Sequence, residues 1–384
     1  MTDSKNENTL YASDDTSLSW VEKREQMLLA PWAMRSCDSK GRKYPSSEHS
    51  YRGPYQRDRD RILHSSAYRR LSGKMQVFTG EMGDYHRTRL THTQEVATIA
   101  RTIGRVLGLN EDLIEALALM HDIGHPPYGH AGEDALNECI KDEGGFSHNQ
   151  FALTIAEETE IRYQEFPGLN LTYEVLAGQQ KRIDKTKTDG PRPLLEVQLV
   201  DAADSTTYDA HDTDDAVKLK LVTIEEMSSV QLVRDALKRV RDKYTNLNDD
   251  LTRKAIVHQL VERQVTSLIS HCAGELQDRG FASASEAMQS DFLIEHPTEL
   301  AEQKRELEAF LYRNVYRHPK LIDIRQRAQV RLKEMFAKYC ECPDLFPKKY
   351  QQRSQKVGVR RMAVEYIAGM TDHFCELTYS SICQ

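Results

Sequence analysis

A helical repeat of apolar residues near residue 91 restricts the fold of this chain more than any other feature. His92, Val96, Ile99, Ile103 and Val106 recur at spacings of four, three, four and three residues. Residues at these spacings share one face of an α-helix, so the segment predicts an amphipathic helix with one buried stripe. Helix breakers are scarce, with 19 Gly and 12 Pro in 384 residues. The expected fold is therefore all-α, with strands limited to a short β-hairpin near residues 76–85.

Local signals place a second helix directly after the first. Gly108 ends the first helix, and Asn110 is a suitable N-cap for a helix that runs to His121. The prolines at 126–127 must end that second helix. So short a connection favours antiparallel neighbours. A further helix is expected over residues 151–165.

Histidine and aspartate residues in these segments form a candidate metal site. The adjacent pair His121 and Asp122 ends the second helix, and His92 reaches the same point from the first helix. A lone histidine on an apolar face is usually a core residue, but several such groups together favour metal binding. With Asp204, the set offers two imidazoles and two carboxylates, which suits six-coordinate Mn, Fe, Co or Mg better than a closed zinc site.

Carboxylates on a later helix support this interpretation. One helical face carries Asp201, Asp204, Tyr208 and Asp212. Several unpaired carboxylates on a partly apolar face are costly unless a cation meets them. We therefore assign Asp204 to the metal, whereas Asp214 and Asp215 are expected to lie on a solvated surface.

Glu133 follows His130 by three positions at the start of a predicted helix. A carboxylate at this spacing can orient the imidazole and raise its pKa, which gives a general acid or base. The alternative is that Glu133 only favours the dipole at the first turn of the helix.

Composition and charge restrict the class of protein further. The net charge is −7, yet residues 52–74 carry seven basic and two acidic side chains, which suggests an anionic ligand. The polar first residues are unlike a secretory leader, and no apolar run is long enough to span a membrane. With seven cysteines, an odd number, we expect a soluble protein of the reduced cytoplasm, in which Cys340 and Cys342 are structural.

Several motifs in order resemble one enzyme family between about residues 57 and 374. The motifs are RDRDRILHSSAYRRLSGKMQVF, RTRLTHTQEVATIARTIGR, MHDIGHPPYGHAGEDAL, FSHNQ, VDAADSTTYDAHDTDD, VYRHP and YIAGMTDHF. They resemble the dGTP triphosphohydrolase-like family of HD-domain phosphohydrolases in its shorter bacterial form. The resemblance implies a mostly helical enzyme with one divalent metal ion per site, Mn²⁺ or Mg²⁺ first and Co²⁺, Fe²⁺, Ni²⁺ or Zn²⁺ as alternatives. It also implies cleavage of a deoxynucleoside triphosphate, dGTP or a wider set, to deoxynucleoside and inorganic triphosphate.

The resemblance also implies roles for individual residues. The metal ligands would be His92, His121, Asp122 and Asp204, and the catalytic pair His130 and Glu133. The phosphates would be bound by Arg89, His125 and His148, and the sugar and base by Gln76, Val77, Tyr208, Asp212 and Tyr316. Ser205 replaces a phosphate-binding Lys of the nucleotide-regulated animal relative, so another basic residue is needed, with Lys74, Lys181 and Arg182 as candidates.

The expected organisation has three parts. Residues 1–50 form a polar arm, residues 51–220 the HD core, and residues 221–384 a helical region that completes the substrate pocket. Related proteins imply a homodimer or hexamer, and single-stranded DNA is a candidate second partner.

Two other functions stay open from the sequence. One is a different HD-type phosphohydrolase, such as a nucleotidase or a guanosine tetraphosphate hydrolase. The other is a nucleic-acid-binding regulatory protein with a vestigial site, which the basic run would serve. The products formed from dGTP separate the first alternative from a triphosphohydrolase.

Overall fold

A computed structural model describes residues 19–47, 49, 51–76, 87–183 and 190–383, and these residues are mostly helical. The first nine α-helices are α1 Trp20–Leu28, α2 Pro54–Leu63, α3 Ser66–Arg70, α4 Arg89–Val106, α5 Glu111–Met120, α6 Gly129–Cys139, α7 His148–Thr154, α8 Tyr173–Ile183 and α9 Leu195–Lys218. No β-sheet forms within the described ranges, which confirms the all-α prediction.

The helix α4 carries the predicted stripe. His92, Val96 and Ile103 are buried as expected, and Thr88 caps the helix by accepting a hydrogen bond from the Thr91 amide. Val106 is instead 58% exposed, and Leu107 takes the core position. The stripe ends early because the chain leaves the helix at Leu107 and turns at the following glycine, where φ is +68°.

The predicted cap at Asn110 is confirmed, since its side chain accepts hydrogen bonds from the amides of Asp112 and Leu113. The short turn lets α5 fold back on α4, and α9 packs against both helices. These three helices carry the four candidate metal ligands or end beside them. The core at this point is apolar, so each polar side chain that enters it needs a partner.

The helix expected over residues 151–165 was placed too far along the chain. It begins at His148 and ends with the π-helical turn Ile155–Thr159, and Glu160 is already extended. Glu160 accepts hydrogen bonds from the amide and hydroxyl of Ser66. This tertiary contact, which local periodicity does not encode, accompanies the end of the helix.

The C-terminal half is made of nine further helices. They are α10 Ile224–Met227, α11 Gln231–Lys243, α12 Asp249–Arg279, α13 Ala284–Gln289, α14 Thr298–Leu311, α15 Pro319–Glu341, α16 Lys348–Val357, α17 Val359–Ala368 and α18 Asp372–Ile382. Shorter turns lie at Ser36–Asp38, Leu71–Gly73, Lys141–Glu143, Tyr312–Tyr316 and Pro343–Leu345.

Buried apolar side chains form two clusters. The larger cluster joins α4, α5 and α9 to residues from α12, α15 and α17. The smaller cluster lies between α11, the first half of α12 and α14. The division at residues 50 and 220 stays a prediction.

The expected β-hairpin near residues 76–85 lies almost wholly outside the described residues. At its base, Met75 and Thr88 form an isolated antiparallel bridge, and the Gln76 amide donates to the Arg87 carbonyl at 3.2 Å. Among the described helices, none combines the length and apolar character needed to cross a membrane.

Candidate active site

Three of the four predicted metal ligands converge where α4, the end of α5 and α9 meet. Potential ligand atoms of His92, His121 and Asp204 all lie within 4.8 Å of one another. His92 Nε2 is 3.0 Å from Asp204 Oδ1, and His121 Nε2 is 3.8 Å from the same oxygen. The two imidazoles are buried, while the Asp204 side chain is 31% exposed. The cluster therefore has one side that a ligand can reach.

The tautomer of His121 fits a metal ion. Its Nδ1 lies 2.6 Å from the Ala118 carbonyl, which can only accept, so Nδ1 carries the proton. Its Nε2 then presents a lone pair, and this buried atom has no hydrogen-bond partner within the described ranges. Burial lowers the pKa of His121, which favours the neutral ring that a metal ion requires. The residues present thus suit a divalent cation.

Asp122, the fourth predicted ligand, lies 3.7 Å from His121 Nε2. Its two oxygens accept hydrogen bonds from Arg89 Nη1 at 3.0 and 3.1 Å, and its Oδ1 lies 2.9 Å from His125 Nδ1. Burial alone would raise the pKa of Asp122, but Arg89 and His125 hold it well below its usual value. Asp122 is therefore a charged carboxylate at the edge of the cluster.

The second group comprises His125, His130, Glu133 and His148. The ring centroids of His125 and His148 are 3.8 Å apart, and Glu133 Oε1 lies 2.7 Å from His148 Nδ1. His130 Nδ1 lies 3.4 Å from the other Glu133 oxygen, and the His130 side chain is 60% exposed. Burial opposes the charge on Glu133, but His130 and His148 keep its pKa well below the usual range. This places an accessible imidazole beside a fixed carboxylate.

Two close contacts hold the loop between α5 and α6, which joins the metal cluster to the second histidine group. A Cβ on Gly124 would lie 2.1 Å from the His148 carbonyl oxygen, so only glycine permits this approach. On the other side, the buried Lys74 ammonium donates to the carbonyls of His125 and Ala368. Both contacts of the Lys74 ammonium are therefore with backbone carbonyls, and the prediction that Lys74 binds phosphate is wrong.

Arg182 is the better placed of the basic candidates. It lies 2.5 Å from Asp201 and 3.7 Å from the Asp204 oxygen Oδ2, at the open edge of the metal cluster. Its side chain is 12% exposed.

A small cavity opens beside His130. It is lined by Gln76, Tyr128, His130, Tyr208, Leu321 and Arg325. Tyr316 adjoins it, with its ring centroid 6.3 Å from that of Tyr208 and its buried hydroxyl unpaired within the described ranges. The structure thus brings Gln76, Tyr208 and Tyr316 together, whereas Val77 lies outside the described residues.

Asp212 lies one turn beyond Tyr208 and is fully buried. Burial raises the pKa of Asp212 well above its usual value, and the nearby Asp215 adds to this effect.

The prediction that Asp214 and Asp215 are solvated is wrong. Both carboxylates are 15% exposed, and they lie 3.3 and 3.2 Å from the Arg87 guanidinium. Asp214 also pairs with Arg253 from α12. The surface of α9 is covered here by basic partners from elsewhere in the chain.

Sequence reasoning assigned no role to Glu95, His211 or Asp372. Glu95 and His211 form a chain of close polar contacts that ends on His92. Asp372 accepts hydrogen bonds from the amides of Met75 and Tyr128, and Tyr128 lines the cavity. The only sequence signal for the first two was helical spacing, since Glu95 follows His92 by three residues.

Comparisons with known proteins agree with this geometry. The HD domain family matches residues 89–209, and the phosphohydrolase-associated domain family matches residues 294–381. A deoxyguanosinetriphosphate triphosphohydrolase-like protein of Geobacter sulfurreducens is 39% identical over 360 residues, which cover 91% of this chain and 94% of that protein. A protein of the same name from Nitrosomonas europaea is 37% identical over 369 residues, covering 92% and 97%. One from Leptospira interrogans is 36% identical over 386 residues, covering 97% and 100%.

The fold, the histidine–aspartate cluster and these matches define an HD-domain phosphohydrolase. Within that class the resemblance seen in the sequence is confirmed. The chain belongs to the dGTP triphosphohydrolase-like family.

Proposed function

We propose that this protein hydrolyses deoxynucleoside triphosphates to deoxynucleoside and inorganic triphosphate with the help of a divalent metal ion. The observation that carries the proposal is the convergence of His92, His121 and Asp204, with ligand atoms within 4.8 Å, next to the His130–Glu133–His148 group. The names of the relatives support dGTP as the first substrate to test.

The ion would be held by His92, His121 and Asp204, with Asp122 at the edge of the site. A bound divalent ion supplies charge for a phosphoryl oxygen and lowers the pKa of water toward neutrality. Manganese or magnesium suits two imidazoles and one or two carboxylates.

The residues of the chain have distinct tasks in the reaction. A water oxygen bonds to the α-phosphorus and loses a proton to solvent, while the bond from phosphorus to the 5′-oxygen breaks. His130, held by Glu133, delivers a proton to the departing 5′-oxygen. The exposed fraction of the His130 side chain, 60%, supports this role, because a substrate can reach the ring. The triphosphate leaves with the oxygen that came from water.

Basic groups on either side of the cluster would face the triphosphate. Arg89 lies beside Asp122, and Arg182 lies beside Asp204. The His125 ring also lies beside Asp122, and its centroid is 3.8 Å from that of His148. Their positions support binding of the phosphates. They could replace the phosphate-binding lysine that the animal relative has at position 205, where this chain has serine.

The sugar and base would occupy the space beside Gln76, Tyr208 and Tyr316. The tyrosine rings offer apolar faces for a deoxyribose and a base. Asp212 would contribute a hydrogen bond to a sugar hydroxyl. A homo-oligomer and single-stranded DNA as a partner stay predictions.

The test is a panel of the four dNTPs and GTP, each with Mg²⁺, Mn²⁺, Co²⁺ and Fe²⁺, scored for inorganic triphosphate. We expect triphosphate from at least dGTP with one of these metals and little from GTP. Release of orthophosphate or pyrophosphate instead would identify another HD-type phosphohydrolase. A full panel without any product would favour a vestigial site.

A further inference from the structure

His211 is a buried imidazole for which the proposed reaction has no use. It lies on α9 two turns beyond Asp204, and it faces α4 rather than the substrate cavity. Its ring centroid is 5.5 Å from that of His92, at an interplanar angle of 70°. Because a buried imidazole needs hydrogen-bond partners, His211 must be paired through its own ring nitrogens.

The polar contacts of His211 form a chain. His211 Nδ1 lies 3.4 Å from His92 Nδ1, and His211 Nε2 lies 2.5 Å from Glu95 Oε2. His92 and Glu95 are three residues apart on α4, so this helix supplies both ends of the series of contacts. The helix α9 supplies His211, which lies between them.

The order of protons along this chain is fixed by the atoms at its ends. His92 Nε2 faces Asp204 Oδ1 at 3.0 Å and must present a lone pair when it binds a metal ion. Its Nδ1 then carries the proton and donates to His211 Nδ1. His211 Nε2 in turn carries the proton and lies 2.5 Å from Glu95 Oε2, an oxygen that can only accept. For two neutral rings, only this arrangement leaves His92 Nε2 free for a metal ion and pairs a donor with an acceptor at the two Nδ1 atoms.

Glu95 is itself anchored at the far end. Arg87 Nε lies 3.8 Å from Glu95 Oε2, and the same guanidinium contacts Asp214 and Asp215 at 3.3 and 3.2 Å. These contacts hold the Glu95 carboxylate between α4 and α9, and 44% of the Glu95 side chain is exposed. These contacts therefore connect the charged cluster of Arg87, Asp214 and Asp215 to the buried His92.

We propose that Glu95 and His211 are positioning residues that set the tautomer and the ring orientation of His92, and thereby the metal affinity of the site. This inference rests on the proposed metal dependence. Partners of this kind behind a ligating histidine typically contribute 10–100-fold to metal affinity.

The experiment titrates Mn²⁺ into the metal-free full-length protein and its variants and measures the dissociation constant by calorimetry. His211→Phe keeps the volume and removes both polar contacts, so we expect Mn²⁺ to bind 10–100-fold more weakly. His211→Gln can still accept from His92 and donate to Glu95, and it should recover most of that loss. Glu95→Leu should weaken binding in the same direction as His211→Phe.

The matched control is His296→Phe. His296 is another partly buried histidine, and its ring nitrogens have no partner within the described ranges. It should bind Mn²⁺ like the wild type. Unfolding temperatures of all variants report whether the proteins are folded.

The outcomes separate this inference from the proposed function. Wild-type affinity in a folded His211→Phe variant would overturn the inference alone. Equal losses in the Phe, Gln and His296 variants would also overturn it, because they would indicate general destabilisation. A wild-type protein that binds no Mn²⁺, Mg²⁺, Co²⁺ or Fe²⁺ would overturn both the inference and the proposed function.

Discussion

Glu133 and His148 are joined twice, since Oε1 of the carboxylate accepts from the His148 backbone amide at 2.9 Å and from its ring Nδ1 at 2.7 Å. The same carboxylate lies 3.4 Å from His130 Nδ1 through its other oxygen. Glu133 thus connects the imidazole proposed to deliver a proton with one proposed to face the phosphates. Substitution of Glu133 should therefore affect both turnover and substrate binding, whereas substitution of His130 should affect turnover alone.

His130→Ala should lose most turnover while the fold is retained. Positioned acid–base catalysis contributes typically 10²–10⁴-fold, so kcat for dGTP should fall by about that factor. KM should change little, because the exposed ring makes few other contacts. Steady-state kinetics of triphosphate release measure both constants. A variant with near-wild-type kcat would show that His130 does not deliver the proton.

Glu133→Ala should affect binding as well as turnover. Removal of the carboxylate releases both His130 and His148 and leaves the His148 backbone amide without its acceptor. We expect a fall in kcat like that of His130→Ala together with a raised KM. Glu138, on the exposed side of the same helix α6, provides the control variant Glu138→Ala. An unchanged KM for Glu133→Ala would contradict the shared role.

Asp372→Asn should loosen the walls of the cavity beside His130. The carboxylate accepts from Met75 and Tyr128 amides at 3.0 and 3.1 Å, and Tyr128 holds a left-handed backbone with φ of 63°. An asparagine leaves one of these buried donors facing an amide NH₂ group, which costs about 1–3 kcal/mol of unfolding free energy. Small displacements of Gln76 and His130 should also lower kcat/KM, by up to about 100-fold.

Denaturant unfolding and kinetics of Asp372→Asn test this prediction together. The control is Asp323→Asn on the exposed face of α15, which should change the unfolding free energy by less than about 0.5 kcal/mol. If Asp372→Asn matches that control in both measurements, the contacts of Asp372 do not position the cavity.

His296 should make the protein less stable in mild acid. Burial lowers its pKa from 6.5 to about 4, with Lys304 and His271 contributing. The unfolded state therefore binds a proton more readily, and stability is lost as the pH falls from 6.5 to 4. Allowing for the partial exposure of the ring, we expect a loss of about 1–2 kcal/mol. Chemical unfolding at several pH values should show that His296→Phe removes this part of the pH dependence.

Local rules predicted the elements that carry the site. The α4 stripe and the Asn110 cap follow from helical spacing and from a side chain that satisfies free amides. The short turn between α4 and α5 made it predictable that His92 and His121 approach one another. Asp204 could be added because unpaired carboxylates on a half-buried helix require a cation.

Long-range contacts account for what sequence reasoning missed. Arg87 and Arg253 cover Asp214, and two backbone carbonyls occupy Lys74, yet neither arrangement has a local pattern. The pairing of Glu95 with His211 joins two helices far apart in the chain. Such contacts depend on how helices pack, which spacing within one helix does not determine.

The most direct test of the central claim is hydrolysis of dGTP by the Mn²⁺-loaded protein in ¹⁸O-labelled water, followed by mass spectrometry of both products. The proposed reaction predicts unlabelled deoxyguanosine and intact inorganic triphosphate that carries one ¹⁸O atom. Orthophosphate or pyrophosphate as the product, or label in the nucleoside, would contradict it.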